Sequence, residues 1–141
     1  KSELQRTLAE SLASEIECTP CTTVDAKTTV SQAVKLLHET KVSSLLVTEA
    51  DKVVGIFTER DVLEKVAEKY PELADCPVRQ VMTGDPTVVY ESDPVGAAVA
   101  AIAVAGHRHV PVLKVDGSLL GIVSPRRVIQ FLEKHLADTS A

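Results

Sequence analysis

Tryptophan is absent from this chain of 141 residues, and phenylalanine and tyrosine occur only twice each. A core assembled here must be built from Val, Ile, Leu and Ala, which suits close packing of helices on a sheet. The same scarcity argues against an aromatic stacking platform for single-stranded nucleic acid. Positive charge is short as well: 15 Lys and Arg stand against 20 Asp and Glu, a net charge of −5. Duplex nucleic acid is held mainly by a basic surface that neutralises phosphates, so no nucleic-acid partner is expected, although a small anion can still bind locally. No apolar run approaches the roughly 20 residues that cross a bilayer, and no basic segment followed by an apolar one opens the chain. A soluble, cytoplasmic protein without membrane insertion is the expectation. Three cysteines, an odd number, fit a reducing compartment better than a disulfide framework. A start at Lys1 rather than at methionine fits a segment trimmed from a longer chain. No Ser/His/Asp set, paired acidic cluster or Gly-rich phosphate loop stands out, so no catalytic residue and no cofactor is expected.

What the chain does have is repetition. Gly55-Ile56-Phe57-Thr58-Glu59-Arg60-Asp61-Val62 returns 66 positions later as Gly121-Ile122-Val123-Ser124-Pro125-Arg126-Arg127-Val128, the signature of a tandem array. The copies agree in glycine, apolar pair, hydroxyl residue and closing valine. They differ where Asp61 of the first copy becomes Arg127 of the second. With 45% hydrophobic residues the chain can bury one core, so the expectation is a compact domain of two similar lobes, neither stable alone.

Local signals assign the elements. Residues 1–17 carry Leu4, Leu8, Leu12 and Ile16 at steps of four, which predicts an amphipathic helix or packing arm. Residues 18–70 and 78–137 then each run strand, helix, strand, strand, helix, joined by a linker at 71–77 and followed by a tail at 138–141. In the first copy Thr22-Thr23-Val24 reads as a short strand, and Thr28 caps a helix lined by Val30, Ala33, Val34 and Leu37. In the second, Asp93 caps and Pro94 fills the first helical position ahead of Val95, Ala98, Val99 and Ile102. Here the shift is 65, so the second copy gains one residue near Gly106. Strands follow at Ser44–Thr48 and Val53–Phe57, then at Val110–Leu113 and Leu119–Val123, with Asp51 and Asp116-Gly117 at the turns. Final helices start after Thr58 and Ser124. Strands this apolar must be covered on both faces, so the lobes are expected to face each other across a cleft that can take a ligand.

With this element order, and with Gly-apolar-apolar-Thr-x-x-Asp closing the first copy, the chain resembles a pair of cystathionine β-synthase (CBS) domains over residues 19–136. His107-Arg108-His109-Val110-Pro111-Val112 in the matching strand adds to the likeness. The resemblance implies an α/β (α+β) fold of two β-α-β-β-α repeats packed with pseudo-two-fold symmetry, plus the N-terminal helix. It also implies a regulatory module that binds AMP, ADP or ATP, or in some members S-adenosylmethionine, between the lobes. Such modules commonly dimerise and serve a regulated enzyme or transporter. Carried over by motif, Thr58 and Asp61 hold the ribose beside Ile56, while Thr87, Val88, Val110 and Pro111 of the other lobe line the base pocket. Arg108 and His109 meet the phosphates. A carboxylate accepting two hydrogen bonds from a vicinal diol suits the first role, since charged acceptors make the stronger bonds. A phosphate contact through His109 would weaken as pH rises. Arg127 offers donors where a diol needs an acceptor, so the second cleft is expected to be empty or to meet an anion.

Other readings of the same residues stay open. Thr58-Glu59-Arg60-Asp61 is also an N-cap with an acidic residue three positions on, contributing roughly 1 kcal/mol to the helix start with no ligand at all. Strand alternation sends His107 and His109 to one face and Arg108 to the other, no third ligand is spaced to join them, and His38 lies in the other copy, so no metal site is expected. Cys18-Thr19-Pro20-Cys21 is a C-x-x-C pair, the competing signal for a thiol redox protein or half a zinc site, but it precedes a strand rather than a helix. Ala97 to Ala105 forms a helix with no polar face, to be covered by a homodimer partner or within one chain.

Overall fold

The structure is a computed structural model, which describes residues 2–18, 21–103 and 109–139, with side chains of the last helix followed to His135. The chain divides into two compact units, Cys21–Pro86 and the pair of segments Lys1–Pro20 and Thr87–Ala141. Each is a small mixed α/β unit with its own sheet and core, in agreement with the expected fold class.

In the first unit, β1 (Thr23–Asp25) leads to α2 (Val30–Thr40), and the chain returns as β2 (Ser44–Glu49), parallel to β1. A two-residue turn reverses it into β3 (Lys52–Thr58), antiparallel to β2, with Glu49 opposite Lys52. Ala50 (φ 51°) and Asp51 (φ 63°) both take the left-handed conformation that such tight hairpins need. A two-residue strand, β4 (Thr83–Gly84), closes the far edge against β3, giving the sheet order β1-β2-β3-β4. Phe57, Leu45 and Val47 of the hairpin meet Val30, Ala33 and Leu37 of α2 in the core.

Helix α2 starts one residue later than expected, at Thr29 rather than Thr28. The reason is reciprocal capping: Gln32 N–H donates to Thr29 Oγ1 (3.2 Å) and Thr29 N–H donates to Gln32 Oε1 (3.3 Å), whereas Thr28 N–H is taken by Asp25 O. Thr29→Ala should cost about 1 kcal/mol, read as a fall in the urea midpoint at unchanged slope.

The segment expected to be a plain linker, 71–77, is docked. Tyr70–Leu73 forms a helical turn, α4. The carbonyls of Cys76 and Ala74 then accept from Val30 N–H (2.8 Å) and Ser31 N–H (3.0 Å). Those amides open a helix and have no partner within it, so the segment supplies what α2 lacks. Val78 N–H continues the contact to Thr28 O (2.7 Å).

The second unit repeats the plan with β5 (Val89–Tyr90), α5 (Val95–Ala103), β6 (Val110–Leu113), β7 (Leu119–Val123) and α6 (Pro125–Thr139). Its sheet order is β5-β6-β7, with β5 parallel to β6 and β7 antiparallel. Gly117, with φ 88°, makes the Asp116-Gly117 turn. On α5, Val95, Ala98 and Ala101 are buried, and Ala97, Val99 and Ile102 pack against the same core. This apolar helix therefore buries much of its surface within its own unit. The extra residue assigned near Gly106 lies outside the described residues.

The N-terminal helix is shorter than its four-residue spacing implied. Capped by Ser2 and Gln5, α1 spans Glu3–Glu10 only. Beyond it, backbone bonds to the second unit replace helical ones: Ala13 N–H to Asp93 O (2.7 Å), Ser14 N–H to Glu91 O (3.1 Å) and Val95 N–H to Ser11 O (2.8 Å). Leu12 is left 43% exposed, while Ile16 enters the core at 2%.

Candidate functional site

The repeated motif lies where β3 runs into a helix. Strand alternation buries Gly55 and Phe57 and turns Ile56 and Thr58 to the other face, half-exposed. Gly55 is required by close approach: a Cβ there would stand 2.4 Å from Met82 Sδ and 2.8 Å from Thr83 O. Without that atom β4 can lie directly on β3. The strand ends as Glu59 N–H donates to Ser43 O (3.0 Å), and α3 (Glu59–Asp61) begins. It continues through a wider π turn, Val62–Val66, and a tight turn, Ala67–Lys69. π turns inside helices recur at functional sites.

Thr58 and Asp61 cap this helix reciprocally. Asp61 N–H donates to Thr58 Oγ1 (3.1 Å), and Asp61 Oδ2 accepts from Thr58 N–H (3.0 Å) and from the Thr58 hydroxyl (3.2 Å). The other oxygen, Oδ1, accepts from Lys65 Nζ (2.9 Å) and from the Thr83 hydroxyl (3.0 Å). Asp61 is 4% exposed. A carboxylate this buried needs compensating donors, and here it has four. Lys65 Nζ also reaches Val81 O (3.1 Å) and Met82 O (3.4 Å), so one ammonium ties the motif to the segment entering β4.

Of the residues singled out from sequence, Ile56, Thr58 and Asp61 come together in the first unit. In the second, Thr87 and Val88 run into β5 while Val110 and Pro111 open β6. Because Val89 pairs with Val112 in parallel register, these two pairs lie at the same end of adjoining strands. Val110 is fully buried in its unit's core, His109 is half-buried, and Arg108 lies outside the described residues. Sequence reasoning missed Lys65 and Thr83. Lys65 stands one helical turn beyond Asp61, a spacing that flags an acid–base pair. Thr83 has no short-range signal, because only the fold brings it to Asp61. An open hollow of about 460 Å³ lies nearby, lined by Leu37, His38, Lys41, Val42, Ser43 and Glu59. It touches the motif only at Glu59, and neither Thr58 nor Asp61 lines it.

The matching place in the second unit has the opposite charge. Arg127 N–H donates to Ser124 O (3.1 Å), and Arg127 Nη1 meets Glu17 Oε2 (3.3 Å) and Gln130 Oε1 (3.3 Å). Glu17 is 80% exposed, so this pair adds little stability.

Cys18 packs against the second unit's core, and its thiol donates to Ile16 O (3.7 Å). Burial pushes the thiol's pKa up, against a smaller pull downward from the Arg127 guanidinium. This is the reverse of what a redox thiol needs. Cys18 should therefore alkylate more slowly than an open thiol at mildly alkaline pH, and Arg127→Gln should slow it further, as followed by peptide mass spectrometry. Among the described residues no group of three or more His, Cys, Asp or Glu is placed to hold a metal ion, and no helix is long and apolar enough to cross a membrane.

Comparison with known proteins matches the repeats individually: a family model described as CBS domain covers residues 13–68 and 78–134. The chain is 35% identical over 120 residues to an uncharacterized 17.7 kDa protein of Acidianus ambivalens, covering 84% of this chain and 71% of that one. It is 27% identical over 124 residues to the CBS domain-containing protein CBSCBSPB1 of Arabidopsis thaliana, where it covers 87% of this chain but spans only 23% of the plant protein. Among solved structures, CBSX2 in complex with AMP superposes with a TM-score of 0.73 at 26% identity, covering 87% of this chain and 96% of that one. A CBS domain protein from Pyrobaculum aerophilum complexed with AMP gives 0.70 at 25%, covering 87% and 98%.

Proposed function

Because the chain belongs to the CBS-domain family, we propose that it is a non-catalytic regulatory module that binds an adenine nucleotide through Asp61 and passes on its occupancy. The observation that carries this reading is the setting of Asp61. Its buried carboxylate already accepts from the hydroxyls of Thr58 and Thr83, the donor chemistry that a ribose diol brings. The AMP complexes of two similar proteins support adenosine as the nucleoside. In this reading Ile56 and Thr58 complete the ribose side, Thr87, Val88 and Pro111 receive the base, and Val110, wholly buried, backs them from the core. His109 and Arg108 meet phosphate, and AMP, ADP, ATP and S-adenosylmethionine are the candidate ligands. Arg127 offers donors where a ribose diol needs an acceptor, so the second copy takes no ribose. The module works as a cytoplasmic homodimer that serves a regulated enzyme or transporter.

Titration calorimetry with AMP, ATP and S-adenosylmethionine tests the reading. One ligand per chain is expected, and saturation at a hundred times the dissociation constant should add about 2.7 kcal/mol of stability. A flat response to every ligand would favour a constitutive dimerisation or assembly module with vestigial clefts. One observation speaks for that alternative: the bonds around Asp61 also serve as a helix cap complete in itself.

A further inference from the structure

Asp61 has about four lone-pair positions to offer, and the free chain fills them all. Thr58 N–H and the Thr58 hydroxyl take Oδ2, and Lys65 Nζ and the Thr83 hydroxyl take Oδ1. A vicinal diol brings two O–H donors, so it must displace two of these four. The four are not equally movable. Thr58 N–H is fixed by the backbone of the helix cap. Lys65 Nζ can turn to Val81 O and Met82 O, which it already reaches. Thr83 belongs to β4, a strand of two residues paired only through Ile56–Thr83 and Gly55–Gly84. Asp85, with φ 46°, follows it, and the chain enters the second unit at Thr87.

We infer that Thr83 is a built-in competitor for the nucleoside. Its hydroxyl holds the diol's place on Asp61 Oδ1, and binding of ribose releases β4 from the edge of β3. Occupancy is thereby passed to the connector between the units. Thr83 is thus a specificity-determining residue for the proposed ligand, and the inference rests on the nucleotide-binding reading.

The test is calorimetric titration of the wild type, Thr83→Val and Thr83→Ser with AMP. Valine keeps the branched shape without the hydroxyl, and serine keeps the hydroxyl. Thr83→Val should bind AMP about tenfold tighter than the wild type, equivalent to 1.4 kcal/mol, and Thr83→Ser should match the wild type. A purely structural role would give weaker binding or none of this contrast. Unchanged or weaker binding by Thr83→Val, or an equal gain in Thr83→Ser, overturns the inference while wild-type binding leaves the nucleotide reading standing. No binding by any of the three overturns both. Amide exchange across Met82–Asp85 should rise on saturation with AMP, and no rise overturns the release step.

Discussion

Asp61→Ala is expected to weaken adenine-nucleotide binding at least a hundredfold and to lower stability at the same time. Hydrogen bonds to a charged group contribute about 1.5–3 kcal/mol each, so losing the acceptor of both ribose hydroxyls removes more than the roughly 2.7 kcal/mol that a hundredfold represents. The stability loss has another source. Asp61 is one half of the reciprocal cap with Thr58, and losing a cap costs about 1–2 kcal/mol. Lys65 adds little to that figure, because its side chain is 41% exposed and can be solvated once its partner is gone. Asp61→Asn separates the two effects: the amide keeps an oxygen for Thr58 N–H but loses charge and one acceptor. Calorimetry on the two variants, alongside urea unfolding, should show binding lost in both and stability lost mainly in alanine. Wild-type affinity in Asp61→Asn would mean that the carboxylate is only a cap.

The largest stability effect is expected from Phe57→Ala. Phe57 is 0% exposed, and truncating a buried phenylalanine costs about 3–5 kcal/mol through lost transfer energy and the cavity left behind. Most of a marginal stability of about 5–15 kcal/mol can vanish this way. Phe57 also immediately precedes Thr58, so its loss slackens the strand that aims the cap at Asp61. Hydrogen exchange should show protection falling throughout Cys21–Pro86. Val115→Ser, at a position 78% exposed, is the control and should stay within about 0.5 kcal/mol of the wild type. Full protection in Phe57→Ala would contradict the packing described.

How much of this was legible in the sequence depended on the reach of each signal. β6 and β7 fell at the expected residues, β2 ran one residue longer and β3 one residue longer at each end, because apolar runs bounded by turn residues are local. Thr29 could have been preferred to Thr28, since only Thr29 has Gln32 three positions on. The end of α1 could not be read. Leu4, Leu8, Leu12 and Ile16 keep helical spacing, and what stops the helix is bonding of Ala13 and Ser14 to Asp93 and Glu91. The docking of Cys76 and Ala74 on the start of α2 is likewise a contact over some 45 positions. At the site, Thr58 and Asp61 were readable as one motif and Lys65 as its neighbour one turn on. Thr83 was not, because it reaches Asp61 only through the pairing of β4 on β3.

The first unit is one uninterrupted stretch, Cys21–Pro86, whereas the second is assembled from both sides of it. The repeat in the sequence and the unit of folding are therefore out of phase. On a ribosome the consequence is a waiting period. The contacts within Cys21–Pro86 come from one continuous stretch, but Leu8 and Ile16 must stay unpartnered until Glu91, Asp93 and the strands after them have been made. At about 5–20 residues per second that delay is roughly 4–20 s. Leu8 and Ile16 are thus made well before the residues that bury them, and a nascent-chain chaperone would find a binding site ahead of the first unit.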